Sequence, residues 1–254
     1  MASHSTTTMG HLHRREAGIS SAVDRTLLRL SATLLFVGEL IALVAGFFHP
    51  GQAPANDHHA AFTEYAASAH WTAIHLGQFV GIAVVIGGLL ALFFALNVRA
   101  GALAWINRLG AVVAAVALGL YGVLQAVDGV ALKQAVDAWV RAPAAEQAAR
   151  FASAEAIRWL EWGVRSYHSF MLGLAFILFA AVIVGTGRTP RATGVLMGLS
   201  GIAYLAQGWV IGSEGFSAAN TLPTLLGILL VLVWSIWLLI SAWRMPAAVE
   251  APAE

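Results

Sequence analysis

The sequence predicts an all-α protein: a polytopic membrane helical bundle of six transmembrane helices, with two short amphipathic helices on its outer surface. Three observations lead there. The 254 residues are 59% hydrophobic and only 11% charged, with a mean hydropathy of +0.76. A soluble chain of this length needs more charge to cover its surface. Six apolar runs reach about 20 residues, the length of helix that crosses a hydrocarbon core. Arginines mark only alternate connections between these runs, so the two faces of the bundle differ.

Residues 1–26, rich in Ser, Thr and His, read as a disordered cytoplasmic tail. Residues 245–254 read as a second cytoplasmic tail. Arg14-Arg15 lacks the surroundings of a twin-arginine signal. The first apolar run, 27–48, is too long for a signal h-region, carries Glu39 and has no small-residue cleavage site. It is expected to be retained. Runs at 71–98, 106–127, 167–186, 192–211 and 222–243 complete a transmembrane domain over 27–244.

Short turns with Arg99 and Arg108, and with Arg188 and Arg191, join the second run to the third and the fourth to the fifth. Nine of the fourteen basic residues fall in the N-terminal region, in these two turns or at Arg244. The other five sit in the 128–165 connection, where five acids balance them. The positive-inside rule then places both termini in the cytoplasm of a bacterial inner membrane. A high content of Ala, Gly, Val, Leu and Arg, with Lys133 the single lysine, points to a GC-rich bacterial genome.

In the outer loop 128–165, Leu132, Val136, Trp139 and Val140 recur at helical spacing opposite Lys133, Asp137 and Arg141. Ile157, Leu160 and Val164 form a second stripe, with Arg158, Glu161 and Arg165 on another face. These are the two expected surface helices. Trp159 and Trp162 suit the headgroup zone. Small residues at Gly77 and Gly81, Gly194 and Gly198, Gly208 and Gly212 have the spacing of close helix contacts.

Composition narrows the chemistry. With no cysteine, disulfides, thiolate catalysis and iron–sulfur clusters are excluded. Any cofactor needs nitrogen or oxygen ligands. A net charge of +1 and the lack of a basic run give no reason to expect nucleic acid. The lipid bilayer is the expected surrounding, and self-association is left open.

The candidate residues gather on one side. His4, His11 and His13 lie in the tail; the other six histidines, His49, His58, His59, His70, His75 and His168, map to the outer half. Asp57, Glu64, Asp128, Glu161 and Glu214 join them there. His75 is expected roughly 6 Å inside the second run, at 1.5 Å per residue, with Gln78 nearly one turn below. Glu39 is deeper still. Ionisable groups at such depths are costly and generally face the bundle.

A loose internal repeat pairs His75 with His168, Tyr121 with Tyr204, Gln125 with Gln207 and Asp128 with Glu214. On that reading, His75 and His168 face one cavity as axial ligands of a single b-type haem, with Gln78 and Gln125 beside them. A quinone or a periplasmic protein is then the redox partner. This arrangement, with His on the second and fourth helices, resembles the ascorbate-reducible two-haem transmembrane cytochromes over helices two to five. The sequence lacks that family's second histidine pair on helices three and five, so the resemblance implies one haem here. The chain is also similar to uncharacterised six-helix bacterial membrane proteins, which implies no function.

Three further readings stand beside it. His49, His58, His59 and His70, with Asp57 or Glu64, form a zinc or copper site in one. In another, Glu39, Gln78, Gln125 and Gln207 line the path of a transporter or proton-coupled permease, with Asp128 and Glu214 at its mouth. The last is a scaffold that binds no cofactor.

Overall fold

The computed structural model describes the backbone of residues 5–245 and the side chains of 25–245. The tails expected at 1–26 and 245–254 lie outside the described side chains apart from their inner ends, as do His4, His11 and His13. Among the described residues every regular element is helical. The eight α-helices are α1 (Ser5–Phe47), α2 (His58–Ala67), α3 (Trp71–Leu96), α4 (Ala102–Ala126), α5 (Lys133–Val140), α6 (Ala144–Thr186), α7 (Arg191–Glu214) and α8 (Thr221–Arg244).

Among the described residues, six stretches are long and apolar enough to cross a membrane: Arg25–Phe47, Trp71–Leu96, Ala102–Val140, Ala144–Thr186, Arg191–Glu214 and Ala218–Arg244. Local chemistry sets their ends. Asn97, with φ 43°, and Gly187, with φ 61°, close α3 and α6 in the left-handed conformation. Pro143 and Pro190 precede α6 and α7, where a missing N–H costs nothing.

Each spanning helix packs on its neighbour in the chain, and α8 packs back on α1. The six therefore form a closed ring. Two seams are tight enough to need glycine. A Cβ on Gly81 would lie 2.5 Å from the Ala42 nitrogen of α1. Across α6 and α7, Gly173 and Gly201 face each other, and a Cβ on either would lie 2.6 Å from the other's carbonyl oxygen. Of the spaced pairs, Gly194, Gly198, Gly208 and Gly212 also meet α6. Leu30, Phe47, Phe94, Trp105, Trp209 and Leu222 remain widely exposed on the outside of the ring, as an apolar solvent allows.

The ring has two unlike ends. At the arginine end, Leu35, Leu89, Leu92, Phe176, Phe179, Trp234 and Leu238 fill the middle. Arg29 there donates to the carbonyls of Ala242, Trp243 and Met245 and ties α1 to α8. The histidine end carries a cap with its own apolar core, in which Phe62, Tyr65, Trp71, Leu132, Val136 and Trp139 pack together.

The amphipathic stretches of the 128–165 connection are helical but not free-standing. Residues 133–140 continue α4 through a π-helical turn, Val127–Leu132. Residues 157–165 belong to the unbroken 43-residue α6. A helix of that length spans roughly 65 Å, about twice the hydrocarbon thickness, so its first part projects beyond it. The polar stripe expected to face water turns inward: Arg158 and Glu161 are 3% and 2% exposed.

Candidate functional site

The ring of helices leaves a cavity of about 690 Å³ at the histidine end. Glu39 from α1, Gln78 from α3, Tyr121 and Gln125 from α4, Arg165 and His168 from α6 and Tyr204 from α7 line it. Asp128, Arg158, Glu161, His49 and Glu64 line the part nearer the cap, while Ile82, Leu172 and Ile228 supply apolar wall.

Several of these polar groups are poorly satisfied by protein. Gln125 Oε1 is buried with no partner. Among the described residues, no cation lies within ion-pair distance of Glu39, and no carboxylate within ion-pair distance of Arg165. Tyr121 stands beside both Gln125 and Arg165. His168 donates Nδ1–H to the Ala117 carbonyl at 2.9 Å, and its ring lies 4.6 Å from that of Tyr121. With Nδ1 used as a donor, Nε2 of the neutral ring is left as an acceptor.

Where the cavity meets the cap, His49, His75 and Asp128 converge. One ligand atom from each lies within 4.8 Å of the other two. The π-helical turn positions Asp128, and the first turn of α3 grips that turn. Trp71 Nε1 donates to the Asp128 carbonyl at 2.9 Å, and Thr72 Oγ1 to the Gly129 carbonyl at 3.4 Å. Gly129 packs against the His75 ring so closely that a Cβ there would lie 2.7 Å from His75 Cβ. A π-turn offsets the side-chain register of an α-helix, and such turns recur at functional sites.

The hydrogen bonds of His75 carry chemical information. Its Nδ1 lies 2.8 Å from the Trp71 carbonyl oxygen, which only accepts, so Nδ1 holds the proton. Its Nε2 lies 3.0 Å from Asp128 Oδ2, and an ionised carboxylate also only accepts. Two lone pairs face each other unless a proton or a cation lies between them. His49 repeats the arrangement, with Nδ1 donating to the Pro50 carbonyl at 2.6 Å. Burial holds its imidazole below the ordinary pKa, against the raising effect of the Asp128 carboxylate.

The surrounding groups hold this cluster in place. Arg158 and Glu161 form a buried ion pair, and Arg158 also lies over the Tyr65 and Phe216 rings. Burial pushes the Tyr65 hydroxyl up to about 12. Glu64 accepts the backbone N–H groups of Gln52 and Ala53 at 3.0 Å and so fixes the loop after His49. Slight burial raises its carboxyl, but these N–H groups and that of Gly51 outweigh it and leave the pKa below the ordinary value.

The sequence expectations divide accordingly. Of the four histidines grouped as a metal set, only His49 reaches the cluster. His58 pairs with Glu155 at 3.0 Å, His59 is exposed against Trp139 and Phe151, and His70 is the exposed N-cap of α3. His168 lines the cavity, whereas His75 stands beside it with both ring nitrogens engaged. Of the six residues of the polar-path reading, Glu39, Gln78, Gln125 and Asp128 line the cavity.

Gln207 does not line it; it accepts from Ser169 and donates to Thr224, linking α6, α7 and α8. Glu214 is exposed and accepts the Ser217 hydroxyl. Arg165 and Tyr121 went unassigned because a lone arginine in an amphipathic stripe reads as solvated surface. The i,i+3 spacing of Arg158 and Glu161 was the available signal for their ion pair. No protein-family model, curated protein or solved structure matches this chain.

Proposed function

We propose that this chain is a multi-pass protein of a bacterial inner membrane that binds a small polar molecule in a cavity open to the extracytoplasmic side. Both termini lie in the cytoplasm on this reading, because arginine holds the opposite end of the bundle. The observation that carries it is the 690 Å³ cavity with polar groups from α1, α3, α4, α6 and α7 turned into it. Its size is that of a small-molecule site. Polar groups left only partly satisfied inside a bundle cost folding free energy, and a ligand that completes them offsets that cost.

The lining defines the ligand's chemistry. Glu39 takes a hydrogen-bond donor or a basic group, while Arg165 with Tyr121 takes an acceptor or an anionic group. Gln78, Gln125 and His168 add neutral hydrogen-bonding sites. A hydrophilic organic molecule with both kinds of group fits, and the apolar filling at the arginine end closes the cavity on that side. Binding is thus the shared first step of either a receptor or a carrier.

Thermal melting of the purified protein against a panel of small zwitterionic and hydroxylated solutes tests this reading. At least one solute is expected to raise the melting temperature of the wild type, with the rise lost in Glu39→Gln or Arg165→Gln. Equal shifts in wild type and both variants count against it.

A single-haem redox protein is the second reading, favoured by the free Nε2 of His168 at the cavity wall. Its other axial ligand fits less well, since His75 has to release Asp128 before it can reach iron. A Soret band lost in His168→Ala supports that alternative; a colourless preparation removes it.

A further inference from the structure

We infer that His49, His75 and Asp128 form a binding site for one divalent transition-metal ion at the boundary between the cavity and the cap. Two imidazoles and a carboxylate make a donor set suited to zinc or ferrous iron, and they leave coordination positions open toward the cavity. The inference stands apart from the polar-ligand reading, because it rests on this cluster and not on Glu39 or Arg165.

Four observations support it. One ligand atom from each of the three residues lies within 4.8 Å of the others. In a tetrahedral site with bonds near 2.0 Å, ligand atoms stand roughly 3.3 Å apart, so small side-chain rotations close the set. Both histidines donate Nδ1–H to backbone carbonyls, at Trp71 and Pro50, which leaves Nε2 as the nitrogen for a cation; in His75 that nitrogen already lies 3.0 Å from Asp128 Oδ2. Backbone acceptors on the far nitrogen are how metal-binding histidines are generally oriented.

Asp128 Oδ1 is buried without a partner, while Oδ2 and His75 Nε2, 3.0 Å apart, need a proton or a cation between them. A cation resolves both problems at once. Finally, Glu161 is already paired with Arg158, whereas Asp128 pairs with no lysine or arginine and contacts only His75 through Oδ2. Gly129, Trp71 and Thr72 fix its backbone against α3. The competing occupant of the gap between His75 and Asp128 is a proton, and the two are separable by experiment.

The test uses the full chain, purified without a polyhistidine tag and with His4→Ala, His11→Ala and His13→Ala, so that tail imidazoles do not take up metal. Elemental analysis reports the ion carried from the cell, zinc or iron, and titration with Co²⁺ alone reports the site through its visible d–d absorption. One Co²⁺ per chain is expected, displaced by zinc. Asp128→Asn and His49→Ala are each expected to lower Co²⁺ affinity by more than the roughly 10–100-fold typical of losing an outer-shell partner.

His59→Ala, outside the cluster, is expected to bind as the parent does. Asp128→Asn is nearly isosteric and keeps the test decisive if His49→Ala fails to fold. A parent protein that takes up no more Co²⁺ than Asp128→Asn, or bound Co²⁺ whose spectrum is unchanged in both His49→Ala and Asp128→Asn, overturns the inference and leaves a shared proton in the gap.

Discussion

At the residue scale, Gly129 and Glu64 show how the cluster is positioned. Gly129 lets the π-turn lie against the His75 ring, and a methyl group there would sit 2.7 Å from His75 Cβ. Gly129→Ala is therefore expected to destabilise the fold by about 1–3 kcal/mol, the usual cost of overpacking. Thermal melting measures that cost, and a melting temperature equal to wild type would show that the turn yields freely.

Glu64 acts through the loop behind His49. Its carboxyl pKa lies below the ordinary 4.5 because backbone N–H groups outweigh slight burial. A lowered carboxylate pKa stabilises the fold above the unfolded value, and that stabilisation is lost as pH falls through the folded one. Glu64→Gln is expected to flatten the acid limb of the stability–pH curve below about pH 4.5, measured by melting across that range. Little of this residue detail was legible beforehand. His49, His75 and Asp128 each stood out as polar groups at helix ends, but their sequence separations of 26 and 53 positions concealed that they meet.

At the scale of elements, hydropathy located the helices long and apolar enough to cross a membrane, the one open-ended element that lipid permits. The ends of the second, fifth and sixth runs agree with α3, α7 and α8 to within about three residues. What periodicity did not convey was continuity: a helix that leaves the membrane keeps the same period, so α6 read as two elements. The π-turn was illegible for a related reason, since Asp128-Gly129 reads as a helix stop by residue type. Helix pairing was more open to reading, because small residues admit close backbones. Gly201→Val is expected to force α6 and α7 apart at the Gly173 contact and to cost about 1–3 kcal/mol or more. Chemical denaturation checks it, and an unchanged midpoint would mean that this seam is looser than the 2.6 Å approach implies.

For the whole molecule, the ring arrangement connects the parts. Six spanning helices joined in chain order and closed by α8 on α1 enclose a middle; leucine and aromatic side chains fill it at one end, and polar side chains leave it hollow at the other. That asymmetry gives the proposal a direction. Because the natural chain has no cysteine, single cysteines report access without a background. The most direct measurement is labelling of Gln125→Cys in intact cells with a charged, membrane-impermeant thiol reagent, beside Leu92→Cys in the packed half. The account predicts that Gln125→Cys reacts from outside the cell while Leu92→Cys does not react until the protein is denatured. Reaction of Gln125→Cys only after the cytoplasmic face is exposed, or only after denaturation, would contradict it.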